Sequence, residues 1–159
     1  MINQLIDELG FLIFVFLIQF QIGFGQNIKS IEFEKSKGTW SMPISNVSKY
    51  IIEKDFNSHV IAVNTPHIIF IPSQNDSVRA VFKGDVDVVF SVGDYFAINI
   101  KYGDYLISYN NIDSPVVKKG DHVTTGKYLG SLRSDNRQLE LLIFNTHDHL
   151  LDPYPWFRW

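Results

Sequence analysis

The 159-residue chain contains no cysteine. That excludes disulfides, thiolate zinc ligands, a cysteine nucleophile and lipidation on sulfur. Histidine is scarce: His59, His67, His122, His147 and His149 are the whole supply. Any imidazole chemistry must be built from those five. Neither sign of charge dominates, with 14 Lys and Arg against 17 Asp and Glu and a net charge of −3. A general basic footprint for nucleic acid is therefore absent. There is no Gly/Ser-rich linker and no block of like charge, which argues for one domain. Nor is there a long apolar run: the unbroken stretch Phe11 to Ile18 is eight residues long. A membrane-spanning helix needs about 20.

That short run does suit the apolar region of a secretory signal peptide. Gly23-Phe24-Gly25 supplies a small-x-small cleavage signal before Gln26, whereas Asp7 and Glu8 make the start acidic where a positive charge is expected. Residues 1–25 are expected to be a leader removed on export. An uncleaved membrane anchor or a buried helix are the alternatives. The expected domain is 26–159, with its core over about 37–156. An exported domain without cysteine must hold together by its core alone. With 45% hydrophobic and 14% aromatic residues the chain has the means to build one.

The body reads as all β. Gly-Asp pairs stand at 84–85, 93–94, 103–104 and 120–121. Glycine at the first central position followed by a polar residue suits a tight hairpin turn. Between the pairs lie VDVVFSV (86–92), YFAINIKY (95–102) and YLISYNN (105–111). In the second of these Phe96, Ile98, Ile100 and Tyr102 share one face, and Tyr95, Ala97, Asn99 and Lys101 the other. That is the two-residue period of a half-buried strand. The spacing predicts a meander of antiparallel strands in a sandwich or barrel. Further strands are expected at His67–Ile71, Val78–Phe82, Lys127–Arg133 and Gln138–Asn145, and a short helix over 45–56.

The segment VVKKGDHVTTGKYLGSL (116–132) predicts two tight turns, at Gly120 and Gly126, around a short strand. Biotinyl and lipoyl carriers use such a pattern. They present a lysine at a hairpin tip between methionine, acidic or small flanks, which Lys127 and Lys118–Lys119 lack.

Taken in order, several blocks resemble the LytM/lysostaphin-type peptidoglycan endopeptidase family. They are KGTWSMPIS (37–45), IPSQNDSVRAVFKGDVDVVF (71–90), INIKYGDYLISYNNI (98–112), the 116–132 segment, RQLELLIF (137–144) and LDPYPWF (151–157). The resemblance implies a duplicated-hybrid-motif fold of antiparallel strands behind an apolar leader helix. It also implies an exported protein, periplasmic or in the cell envelope. Active members of the family hold one zinc ion with a histidine, an aspartate four residues later and the second histidine of a His-x-His pair. Two more histidines act in catalysis. In this chain the resemblance puts Thr65 and Ile69 at the first two ligand positions, with Gln138 and Glu140 at the His-x-His pair. Asn111 stands at a catalytic histidine.

Those replacements bear on the chemistry. Catalytic zinc needs three protein ligands and an open position for water. Isoleucine has no lone pair, and without the metal a water keeps a pKa near about 16. Neither Gln138 nor Asn111 exchanges a proton near neutral pH. The expectation is a domain without catalysis, metal or cofactor. A polar groove around Asn111, Gln138, Glu140, Tyr102 and Tyr109 would bind a peptidoglycan stem peptide or a cell-wall hydrolase as regulator or adaptor. A groove whose polar residues merely stay hydrated is the competing reading. Two functional alternatives stand beside it: a zinc endopeptidase rebuilt around His67, Glu140 and His59, and a purely structural envelope module. His147-Asp148-His149 reads as a surface loop, His122 as exposed, and Lys118–Lys119 as a solvated edge. The closing aromatics 154–159 are expected to cover one end of the barrel.

Overall fold

The computed structural model describes residues 25, 28–45, 47–53, 56–57, 62–63, 66–73, 77–132, 138–146 and 149–159. Residues 1–24 of the expected leader 1–25, together with Thr65, His59, His147 and Asp148, lie outside the described residues. Among the described residues no helix is long and apolar enough to cross a membrane.

The all-β expectation holds. Among the described residues, one helix, α1 (28–35), is followed by twelve strands and a closing 3-10 turn at Tyr154–Trp156. The strands are β1 (Val47–Glu53), β2 (Phe56–Asn57), β3 (Ala62–Val63), β4 (His67–Pro72), β5 (Ser77–Arg79) and β6 (Gly84–Val92). They continue with β7 (Tyr95–Tyr102), β8 (Tyr105–Pro115), β9 (His122–Val123), β10 (Tyr128–Leu132), β11 (Leu139–Asn145) and β12 (Leu150–Leu151). The main sheet runs β1-β4-β11-β8-β7-β6-β9; β10 bridges β5 to β8, β12 pairs with β11, and β2 and β3 form a separate hairpin.

One sequence expectation fails. The stretch 45–56 is not a helix; Val47–Glu53 is a strand paired with β4, placing Ile51 opposite Ile69 and Ile52 opposite Ile68. Its Val, Tyr and Ile residues favour a pleated, half-buried surface, and the neighbouring strand decides the matter.

The meander β6–β7–β8 is where expected. Gly93 and Gly103 open its two hairpin turns at φ 62° and 59°, which glycine adopts without steric cost. Gly84-Asp85 is not a turn. Gly84 begins β6, and a Cβ there would sit 2.6 Å from the carbonyl oxygen of Lys101, so glycine lets two strands approach.

Alternation sorts the main sheet into two faces. Val86, Ile100, Ile107 and Ile143 lie in register on the inner face. So do Ile98, Tyr109, Leu141 and Ile68. All eight are buried. The inner face belongs to one cluster with Val78 and Leu129 from β5 and β10, and with Trp40, Trp156 and Phe157. The closing aromatics thus split. Trp156 and Phe157 are buried, and Tyr154 and Trp159 remain exposed.

Helix α1 was not foreseen. Its Phe33 is fully buried, stacked on Tyr105 at 4.2 Å and edge-on to Trp40 and Phe82. Ser30 Oγ donates to Asp104 Oδ2 at 2.6 Å, and the Tyr105 hydroxyl donates to Glu34 Oε1 at 2.6 Å. The helix is therefore fastened to the β7–β8 hairpin at its tip.

Candidate functional site

The outer face of the main sheet carries a groove of about 570 Å³. Its floor follows from the pairing registers. Asn110 and Glu140 lie side by side, with Ile69 beyond Glu140. The next row is Asn99, Ser108 and Leu142. The third is Lys101, Leu106 and Phe144. Phe90, Val92 and Tyr95, from the β6–β7 hairpin, supply an apolar wall.

A polar chain crosses the floor. Ser108 Oγ donates to Asn110 Oδ1 at 3.1 Å, and Asn110 Nδ2 donates to Glu140 Oε2 at 3.1 Å. Glu140 Oε1 lies 3.6 Å from His67 Nε2, and His67 is buried. The side-chain oxygen of Asn99, Oδ1, is shielded from solvent and has no hydrogen-bond partner among the described residues. Buried polar atoms are seldom left so.

The expected site residues separate. Ile69 and Glu140 do meet, in register on one face. Gln138 is half-buried and sits two residues before Glu140, at the mouth of β11, outside the groove lining. Asn111 is not on the floor. It is buried with φ 70°, at an irregularity where Phe96 pairs with Ile112 but Ile98 pairs with Tyr109. That bulge puts one extra residue into β8 beyond Asn110. Asn110 stands in regular register opposite Glu140, and Asn111 turns inward. Tyr109 is a core residue: wholly buried, it accepts a hydrogen bond from the Val81 N–H at 2.9 Å. Burial, opposed by that bond, pushes its hydroxyl well above the ordinary tyrosine range. Tyr102 faces away from the groove. Its ring packs edge-on against Phe82, and its hydroxyl donates to Glu32 of α1.

The residues missed, Asn99, Lys101 and Ser108, lie on the strand faces opposite the core. The two-residue period already marked Asn99 and Lys101 as outward. What the sequence does not mark is that three strands bring these positions into adjacent rows.

A zinc ion of the kind the resemblance implies does not fit the described residues. Around Glu140 only His67 adds a second ligand atom, Ile69 offers none, and the Asn110 amide N–H is spent on Glu140. Three protein ligands are required. Among the described residues no group of three or more His, Asp or Glu is placed to hold a metal.

No family model matches the chain. No curated protein matches it either. Solved structures do. The chain is similar to Csd3 of Helicobacter pylori with TM-score 0.59 and 16% identity, over 78% of this chain and 38% of that one. It thus spans well under half of Csd3. It is similar to a chain of the SpoIIQ–SpoIIIAH pore-forming complex with TM-score 0.55 and 16% identity, over 76% of this chain and 92% of that one. It is similar to a zinc-containing peptidase of Vibrio cholerae with TM-score 0.54 and 18% identity, over 72% of this chain and 37% of that one. The chain has the LytM-type peptidase fold, as the sequence blocks implied.

Proposed function

We propose that the chain is an exported, non-catalytic LytM-like domain of the cell envelope. Its outer groove holds a peptide, either a peptidoglycan stem or a segment of a cell-wall hydrolase, and so acts as regulator or adaptor. The observation that carries this reading is the groove itself. It has an apolar wall and a hydrogen-bonded polar floor, and among the described residues no donor set for catalytic zinc. Occupancy of the groove would shift a partner toward its active state. The fold is shared with a chain of a two-protein pore-forming complex and with a zinc-containing peptidase. The reading takes the binding role of the first and leaves the chemistry of the second. The test is co-sedimentation of the full chain with purified sacculi, alongside pull-down of cell-wall hydrolases. Enrichment of either supports the proposal, and loss of both from a folded protein overturns it.

A second reading has one observation in its favour. His67 and Glu140 face each other at 3.6 Å and could begin a rebuilt zinc site. Metal analysis of the purified chain separates the two. Stoichiometric zinc that disappears in Glu140→Gln would favour the peptidase.

A further inference from the structure

Beside the groove lies a second, more polar concavity of about 290 Å³, and the two meet at Asp87 and Lys101, which line both. Lys29 from α1, Lys119 from the turn before β9, and the backbones of Gly103 and Gly120 complete it. Three lysines thus line one hollow. The Lys29 ammonium lies over the Tyr102 ring, 5.6 Å from its centroid. Two carboxylates share the hollow, but Asp85 is engaged by His122, whose Nδ1 lies 2.8 Å from Asp85 Oδ1. Three lysines against two carboxylates leave the hollow with a surplus of positive charge, which favours a bound anion.

We infer that this hollow is a carboxylate subsite at one end of the groove, which gives a bound peptide a direction. The inference rests on the groove being a peptide site. Its acidic end is Glu140, and its basic end is Lys101 with Lys29 and Lys119. Glu140 and Phe144 are four residues apart on β11, and Lys101 lies in the Phe144 row two strands away. With about 3.3 Å per residue and about 4.8 Å between strands, the two ends are about 16 Å apart. An extended peptide covers that in about five residues. The fitting ligand is a short extended peptide with an amino group toward Glu140 and a carboxylate toward the lysines. The carboxylate is either its C-terminus or an acidic side chain at that end.

Titration calorimetry of the full chain with a synthetic stem pentapeptide tests the direction. Three forms are needed: free acid, C-terminal amide, and a form with its glutamate replaced by glutamine. Amidation is expected to weaken binding about tenfold if the terminal carboxylate is held, and the glutamine form to do so if the side chain is. In Lys101→Glu and Lys119→Glu that preference should vanish, with the circular dichroism unchanged. Independently, acetate should shift the Gly103 and Gly120 amide resonances where equal sodium chloride does not. Equal binding of all three peptides with no acetate shift overturns the subsite and leaves the groove standing. An acetate shift without peptide binding keeps the subsite and sinks the peptide reading. Neither signal removes both.

Discussion

Asn111 is the single non-glycine residue with positive φ among the described residues, at 70°. Asparagine tolerates the left-handed region better than most side chains, and a β-branched residue there is strained. Asn111→Gly is expected to leave stability unchanged, whereas Asn111→Val should cost about 1–3 kcal/mol. Urea unfolding of the two variants checks this, and equal losses would contradict it. Nothing in YNNI announces the bulge at Asn111, but the two-residue period from Ser108 puts Asn110 on the outer face and Asn111 with Tyr109 on the inner one. The groove asparagine is Asn110. The same period governs Tyr109. Alternation with Ile107 puts it on the core side, whereas the resemblance assigns it to the groove. The core position is the one realised, and the hydroxyl is tolerated there because Val81 N–H meets it. Tyr109→Phe leaves that buried N–H without an acceptor, and a loss of about 1–3 kcal/mol in the same assay is expected.

At the scale of elements, strands with a strict two-residue period were legible and short or composite pieces were not. β7 falls on the expected residues 95–102. Its sequence alternates throughout, and glycine–aspartate turns bound it on both sides. The stretch that became β1 mixes Lys49, Glu53 and Lys54 with Ile51 and Ile52, a pattern that fits either period. Only its pairing with β4 chooses. Helix α1 carries Ile28 and Ile31 outward and Phe33 inward, so its apolar residues do not form one face that a sequence scan would register. Its attachment is nevertheless strong. Phe33→Ala should cost about 3–5 kcal/mol, as large-to-small changes in a well-packed core do. The same attachment predicts a pH response. Burial, reinforced by the Glu34 carboxylate that its hydroxyl donates to, pushes Tyr105 up to about 12. An acid whose pKa rises on folding stabilises the fold while protonated. That stability is intact below pH about 10 and lost as pH climbs toward 12. Thermal unfolding followed from pH 9 to 12 should show a decline that Tyr105→Phe makes shallower, the remainder belonging to the other raised hydroxyls, Tyr109 first. An identical decline in the variant would assign it elsewhere.

For the whole molecule, a single sheet serves two purposes because alternate residues of each strand belong to different environments. The inner rows, from Val86 to Ile143 and from Ile98 to Ile68, hold the fold together; the outer rows carry the polar floor. A sequence can lose every residue that bound a metal on the outer face and keep its fold, since none of the inner rows need change. That is why the fold was readable from blocks of conventional core pattern while the groove was not. Its members Asn99, Ser108, Asn110 and Glu140 stand on three strands with no common spacing. The division can be tested on two neighbouring leucines of β11. Leu141 is fully buried on the inner face, and Leu142 lines the groove beside Ser108. Leu141→Arg places an unpaired charge in the core and should abolish folding, a loss above about 4 kcal/mol. Leu142→Arg keeps its guanidinium at the surface. The melting temperature should move by no more than a few degrees, a change of about 1 kcal/mol or less. Its side chain then fills the middle of the groove, so binding to sacculi or hydrolase should fall more than about tenfold, equivalent to about 1.4 kcal/mol. A Leu142→Arg protein that folds and binds as the parent does would mean that the ligand is held on some other surface.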